Sequence, residues 1–447
     1  MFELRWEWLD GHGTSVRSHA LTWARLELRV DEDRVATRVY DRRTRSVRDG
    51  IYLPLMPLAE WVAYNWWFLI EEGAPELPSV SARAAIPAHR AWYARHNLLA
   101  AREGYPLPDL TCYREEDERL LLCCTADERF HGNAPVRFVE RFEALVPCAE
   151  YRSALARLVT AVLERIEACD DHDARELRAR WALASSDDAR RRLLCARAAM
   201  LGLDAAQPDA LDEALTTSLT EGLEGLPAPI VRELLALPGG ALEISARAQS
   251  ILAARVQTPR QSKDGALREA RGAVLPAAGL AEPHDAGWAM ARQFRRSVLG
   301  VEDEVVSAVL DHRLEATGVL DPHDLRGAPT DRGLLGWVEA QAQDTASCVL
   351  QRRTIPGARR FLHARALALA LLGGRERLIT ESTHRSQRVA RHFAAEVLAP
   401  AEAIRRRLVG EFVDGDELEA LAAHFNVHPT LVRHQIENHH MARVLGE

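Results

Sequence analysis

Residues Arg359 to Leu372 read RRFLHARALALALL, an Arg-Phe pair leading into a helix of small and apolar residues. A metal-binding helix would carry two histidines at i and i+4, because one turn brings both imidazoles to a single ion. The only histidine here is His363, and the residues one turn on are Ala366 and Leu367. ALALALL (Ala366–Leu372) is also far shorter than the roughly 20 apolar residues of a membrane helix. The segment has a shape and no evident chemistry.

Its surroundings are strongly basic. Between Gln351 and Arg391 stand Arg352, Arg353, Arg359, Arg360, Arg365, Arg375, Arg377, Arg385, Arg388 and Arg391, against only Glu376 and Glu381. Ten against two is a local charge of +8 in a chain whose formal total is −8, which leaves −16 for the rest. Arginine grips carboxylate or phosphate through two parallel hydrogen bonds, so a protein or nucleic-acid partner is one reading. The other is pairing with acids of the chain's own helical middle, such as Glu221 and Glu224.

Downstream, LAAHFNVHPTLVRHQIENH (Leu421–His439) reads as a helix, a short turn and a second helix starting near Pro429. Arg433, His434, Gln435 and Asn438 would lie on the second helix, where such side chains read base edges. The unit has few basic residues for phosphate contacts. His392 and Glu396 stand at i and i+4, but a third ligand would have to come from elsewhere. His424, His428, His434, His439 and His440 lack the compact spacing of a structural zinc site, so no metal and no cofactor are expected.

Upstream the pattern changes. WARLELRV (Trp23–Val30) alternates as a strand, and RVATRVYD (Arg34–Asp41) follows after a turn-forming acidic cluster. Pro57 suits the first turn of a helix in which Leu58, Trp61, Val62, Asn65, Trp66 and Leu69 share a face. Seven of the ten tryptophans precede residue 93, which points to a small α+β core packed with rings. LPDLTCYRE and ERLLLCCTA form a further hairpin. From Tyr151 to Ile251 the pattern is helical, and residues 256–285 hold the best linker. Helical patterns resume at GWAMARQFRRSVLG (Gly287–Gly300) and continue to the end. The expected parts are therefore a Trp-rich α+β domain (1–150), a helical middle region (151–275) and a helical domain (276–447).

Composition excludes some classes. At 47% apolar and 27% charged the chain reads as globular. MFELRWEWLDG lacks the basic-then-apolar order of a signal peptide, so a cytoplasmic location with no membrane contact is expected. Seven scattered cysteines make neither a zinc ribbon nor a disulfide framework. Lys263 is the single lysine, which leaves one position for Schiff-base chemistry. No GxSxG, P-loop or post-strand GxGxxG occurs.

Residues 276–447 resemble the ImmA/IrrE family of zinc metallo-endopeptidases, on pieces that occur in the family's order. GWAMARQFRRSVLG and VEDEVVSAVLDHRLEATGV (Val301–Val319) resemble its leading helices. RRFLHARALALALL takes the place of its Arg-Phe-x-x-Ala-His-Glu-Leu-Gly-His helix. SQRVARHFAAEVLAP (Ser386–Pro400) resembles its Glu-x-x-Ala-Asn-x-Phe-Ala-Ala helix. LEALAAHFNVHPTLVRHQIENH (Leu418–His439) resembles its helix-turn-helix-like end. The resemblance implies a zincin-type helical domain and a setting in stress response, mobile-element control or phage defence.

It also implies where zinc would bind, and there this chain departs. Register on Arg360-Phe361 puts Arg365 at the first histidine, Ala366 at the general-base glutamate and Leu369 at the second histidine. Register on Phe393-Ala394-Ala395 puts Gln387 at the third ligand. Guanidinium has no lone pair to give, and alanine and leucine donate nothing. The expectation is a mostly α protein with an N-terminal α+β domain. Its C-terminal domain would be a pseudopeptidase that binds a protein partner through Arg365, Gln387, Arg360, Arg388 and Arg391. The rivals are a metallo-endopeptidase with non-standard ligands and a DNA-binding regulator.

Overall fold

The alternation at Trp23–Arg29 does fold as a strand, the middle one of an antiparallel sheet. The computed structural model describes residues 1–447 except 12–13, 76–86, 117, 131–133, 208, 258–265, 279–281, 302–319, 325–332, 342–344, 351–354, 375 and 446–447. The chain divides into two units, Met1–Thr220 and Glu221–Glu447. The expected boundaries at 150 and 275 both fall inside units. Helical periodicity told which segments were helices but not which core each would join.

The first unit runs β1 (Glu3–Trp8), α1 (Arg17–Leu21), β2 (Trp23–Arg29), β3 (Val39–Asp41), β4 (Ser46–Arg48), β5 (Ile51–Pro54), α2 (Met56–Glu71), α3 (Pro87–His96), β6 (Asp109–Glu116), β7 (Arg119–Thr125), β8 (Val136–Phe138), β9 (Phe142–Pro147), α4 (Cys148–Arg165), α5 (His172–Ala184), α6 (Ala189–Met200) and α7 (Glu213–Thr220). Among the described residues three small sheets form, ordered β1-β2-β5, β4-β3-β8 and β6-β7-β9. The hairpin expected from LPDLTCYRE and ERLLLCCTA is β6 against β7, with Leu110 opposite Cys124. Only Val39–Asp41 of RVATRVYD is a strand.

Pro57 lies in the first turn of α2, where a missing N–H costs nothing. The helix is buried nearly all round and packs against α3, α4, α5, α6 and β6. That central position draws α4 and α5 into the core of the strands. Trp61, Trp66 and Trp92 are buried and Trp6, Trp8, Trp67 and Trp181 pack partly buried against the same core. Glu72 ends α2 with two hydrogen bonds from Arg95, at 2.6 and 2.9 Å, and a 3.0 Å contact with the buried His96.

The second unit runs α8 (Ala228–Leu235), α9 (Ala241–Gln257), α10 (Ala266–Ala278), α11 (Pro283–Phe294), β10 (Leu320–Asp324), β11 (Leu334–Gln341), β12 (Thr345–Leu350), α12 (Pro356–Leu372), β13 (Glu376–Thr380), α13 (Arg385–Leu398), α14 (Ala401–Arg405), β14 (Phe412–Val413), α15 (Gly415–Phe425), α16 (Pro429–Asn438) and β15 (Arg443–Val444). A four-stranded mixed sheet, ordered β10-β12-β11-β13, corrects the all-helical reading of 276–447. LLGWVEAQ and TASCVL are short apolar runs, which periodicity alone does not assign to helix or strand. Residues 302–319, part of the resemblance, lie outside the described residues.

Helix α12 enters through Pro356 and ends at Gly373, whose φ of 95° only glycine adopts freely. Leu362 and Ala364–Leu371 are all buried, because α10, α13 and the sheet cover it. Small residues let these layers approach. A Cβ on Gly287 of α11 would stand 2.6 Å from the His392 Cβ and 2.7 Å from the Val389 carbonyl oxygen of α13. Among the described residues no helix is long and apolar enough to cross a membrane. All seven cysteines are free thiols. In the Cys123-Cys124 pair only Cys124 is buried, since neighbouring strand residues point to opposite faces.

Candidate functional site

Arg365 sits midway along α12 and Gln387 in the first turns of α13, and both are buried at 4% and 0% exposure. They meet directly. Arg365 Nη2 donates to Gln387 Oε1 at 2.9 Å and also to the Thr380 carbonyl. The same Gln387 Oε1 accepts from Thr380 N at 3.2 Å, and Gln387 Nε2 donates to the Leu378 carbonyl at 2.8 Å. Helix α8 supplies a residue that sequence reading missed, the buried Glu233. Its carboxylate accepts from Leu378 N at 2.8 Å, from Gln387 Nε2 at 3.4 Å and from Ser386 Oγ at 3.5 Å.

Three side chains thus answer the outward backbone groups of Leu378 and Thr380 on the outer strand β13. Each is far from the others in sequence, and Glu233 is 145 residues from Leu378. No local pattern could have announced it. Of the expected pairing of these arginines with acids of the helical middle, Glu233 acts on Arg365 through its charge alone. The ion pair of Arg255 in α9 with Glu376 at 2.9 Å runs the other way, an arginine of the middle meeting an acid of the basic segment.

Burial is the main force on Arg365. It pushes the guanidinium down to about 9, Arg391 pushes the same way, and Glu381 and Glu233 oppose. The group stays cationic at neutral pH, and its Nε is buried without a hydrogen-bond partner. Zinc does not fit this donor set. Arg365 is a cation with no lone pair to give, and Gln387 Oε1 already accepts two hydrogen bonds. Ala366 and Leu369 are fully buried hydrocarbon. No three His, Cys, Asp or Glu side chains among the described residues converge as metal ligands would.

The expected docking role of Arg365 and Gln387 is corrected by the same geometry: they fill the interior between α12 and β13 and line no surface. The other arginines divide. Arg359 is exposed, Arg388 is half-buried, and Arg385 is buried. Arg360 donates to the Asn426 carbonyl at 2.7 Å and Arg391 to the Ser382 carbonyl at 2.9 Å, so both brace their own unit. Arg352, Arg353 and Arg375 lie outside the described residues.

The His392–Glu396 pair also resolves differently. Glu396, 1% exposed, accepts from Arg292 Nε at 2.8 Å, Ala401 N at 3.1 Å and Gln435 Nε2 at 2.8 Å. It is a hub joining α11, α13, α14 and α16. Gln435 is 1% exposed and bonds the Ala399 carbonyl as well, so it is an interior brace and not the base-reading residue expected. Its neighbours His434 and Asn438 are exposed and Arg433 is half-buried. The two terminal helices are otherwise as read, with Asn426 in the left-handed conformation at the turn and Pro429 opening α16.

Around Trp288 stand three histidines: His439 at 3.8 Å between ring centroids, His284 at 4.9 Å and His392 at 5.7 Å. Burial drives His392 down to about 4, helped by His284, Arg388, Arg391 and His439. Burial also lowers His439, assisted by Arg292, Arg405 and His284 and opposed by Glu396. His392 therefore stays neutral in the folded chain down to about pH 4 and His439 takes up its proton less readily than in the unfolded chain, which protonates both from about pH 6.5 downward. Unfolding therefore takes up protons in this range, and stability falls as pH drops from about 6.5 to about 4. A His392→Gln variant is expected to flatten the pH slope of the second unit's thermal midpoint in that window. An unaltered slope would remove His392 from this role.

No family model matches the chain, and no curated protein gives a significant match to it.

Proposed function

We propose that the second unit is a zinc-less relative of the ImmA/IrrE peptidases that acts as a protein-binding, regulatory module. The carrying observation is the hydrogen bond between Arg365 and Gln387. These residues occupy two positions that the family's pattern gives to zinc ligands, and they lie on successive helices of the resemblance. What the family would fill with an ion is filled here by a guanidinium and an amide. Hydrolysis through a metal-activated water has no residue to hold the ion and none to take the proton, since the glutamate position is Ala366.

The partner class is a protein. With Arg365 and Gln387 interior, the arginines placed to meet its acidic groups are those with surface exposure, Arg359 and Arg388 foremost. By the resemblance, the process served is stress response, mobile-element control or phage defence. Elemental analysis tests the reading. Protein incubated with excess zinc and then desalted is expected to retain far less than one zinc per chain. One tightly held equivalent would instead establish the rival metallo-endopeptidase with non-standard ligands.

A further inference from the structure

The first unit contains a groove of about 530 Å³ between α2, α4, the end of α5 and α6. That volume falls in the roughly 300–1,000 Å³ range of small-molecule sites. Its wall is aromatic. Trp66 is held rigid by an edge-on contact with Trp181, with centroids 4.9 Å apart at 87°. Trp67, next in sequence, is half-buried against the core and has neither a ring contact nor a side-chain hydrogen bond among the described residues. An indole left in that state at a groove wall offers a stacking face to a flat ligand.

The charges at the groove come from separate elements. Arg152 reaches it from α4 and Arg192 from the first turn of α6. Both are exposed, and neither guanidinium forms an ion pair or hydrogen bond with any described residue. Cations in the first turn of a helix oppose its dipole, yet α6 opens with Arg190, Arg191 and Arg192 in succession. Asp187 and Glu71 also line the groove, and an ionised carboxylate only accepts hydrogen bonds. A fitting ligand is therefore flat at one end and anionic at another, with neutral N–H or O–H groups between.

We propose that this groove binds a nucleoside monophosphate. The base stacks on Trp67, the phosphate is gripped by Arg152 and Arg192, and base-amino or ribose hydroxyl groups donate to Asp187 and Glu71. Arginine suits this task because its planar fork matches phosphate oxygens. A simple phosphate would forgo the stacking, and a free nucleoside would leave both arginines unanswered.

Calorimetric titration of the full chain with AMP, adenosine and inorganic phosphate tests the assignment. AMP is expected to bind at least about tenfold more tightly than adenosine or phosphate alone, a gap of one decade in Kd. Arg152→Glu and Arg192→Glu should each weaken AMP by about tenfold or more, and Trp67→Leu by a similar factor. Both arginines are exposed, so their reversal leaves the core intact. Arg157→Glu, an equal charge change on the exposed face of the same α4, should leave AMP binding unchanged. Absence of AMP binding at millimolar concentration, or equal loss in the Arg157 variant, would overturn the proposal.

Discussion

Gln387→Ala is expected to destabilise the second unit by about 3–5 kcal/mol, a large loss for a single polar side chain. The glutamine makes four hydrogen bonds in a site with no solvent exposure: two accepted, from Arg365 and Thr380, and two donated, to Leu378 and Glu233. Its removal strands the Thr380 N–H and the Leu378 carbonyl, and each buried orphan costs about 1–3 kcal/mol. Arg365 keeps one bond, to Thr380, beside an Nε already unanswered. Gln387→Met separates this from a simple cavity effect, since methionine restores most of the volume and none of the bonds. Hydrogen exchange over residues 376–398 reads the loss locally, which avoids treating two units as one transition. A loss under about 1 kcal/mol in both variants would mean that water replaces the glutamine at little cost.

The second large effect runs the other way, toward restoring an ion. The combined change Arg365→His, Ala366→Glu, Leu369→His and Gln387→Glu is expected to give a chain that retains one zinc, where the parent retains almost none. Positions 365 and 369 are one turn apart on α12, and position 387 is within a hydrogen bond of position 365. Arginine with glutamine is a buried charge of +1, whereas two neutral histidines, two carboxylates and Zn²⁺ sum to zero, so the loaded site carries one positive charge less beside Glu233 than the parent does. The readouts are zinc content and the rise in unfolding temperature that zinc confers on the variant. A variant that folds, by circular dichroism, yet holds no zinc would show that the register on Arg360-Phe361 is wrong. That result would take the family resemblance with it.

Parts of this molecule were legible before its coordinates. Pro57 marked the start of α2, the paired apolar runs at β6 and β7 marked their hairpin, and Pro429 marked α16. The meeting of residues 365 and 387 was legible only through a family's pattern, because nothing in either segment alone points to the other. What escaped was long-range. Glu233 looked like one acid among many on a helix, and its role comes from being placed under a strand. Gln435 sat among polar neighbours that favoured a surface role, and the buried carboxylate of Glu396 decided otherwise. The strands β11 and β12 bury successive residues, Leu335 to Val338 and Ala346 to Leu350, so no two-residue alternation marked them. The helices from Tyr151 to Thr220 carried no mark of which core would take them.

The capping of β13 bears on how copies of this chain behave when crowded. An outermost strand with unanswered amides and carbonyls is a template for sheet extension between molecules, the usual start of strand exchange and fibrous aggregation. At Leu378 and Thr380 that template is closed by an amide, a carboxylate and a guanidinium drawn from three helices. A second molecule would have to evict all three before it could pair there.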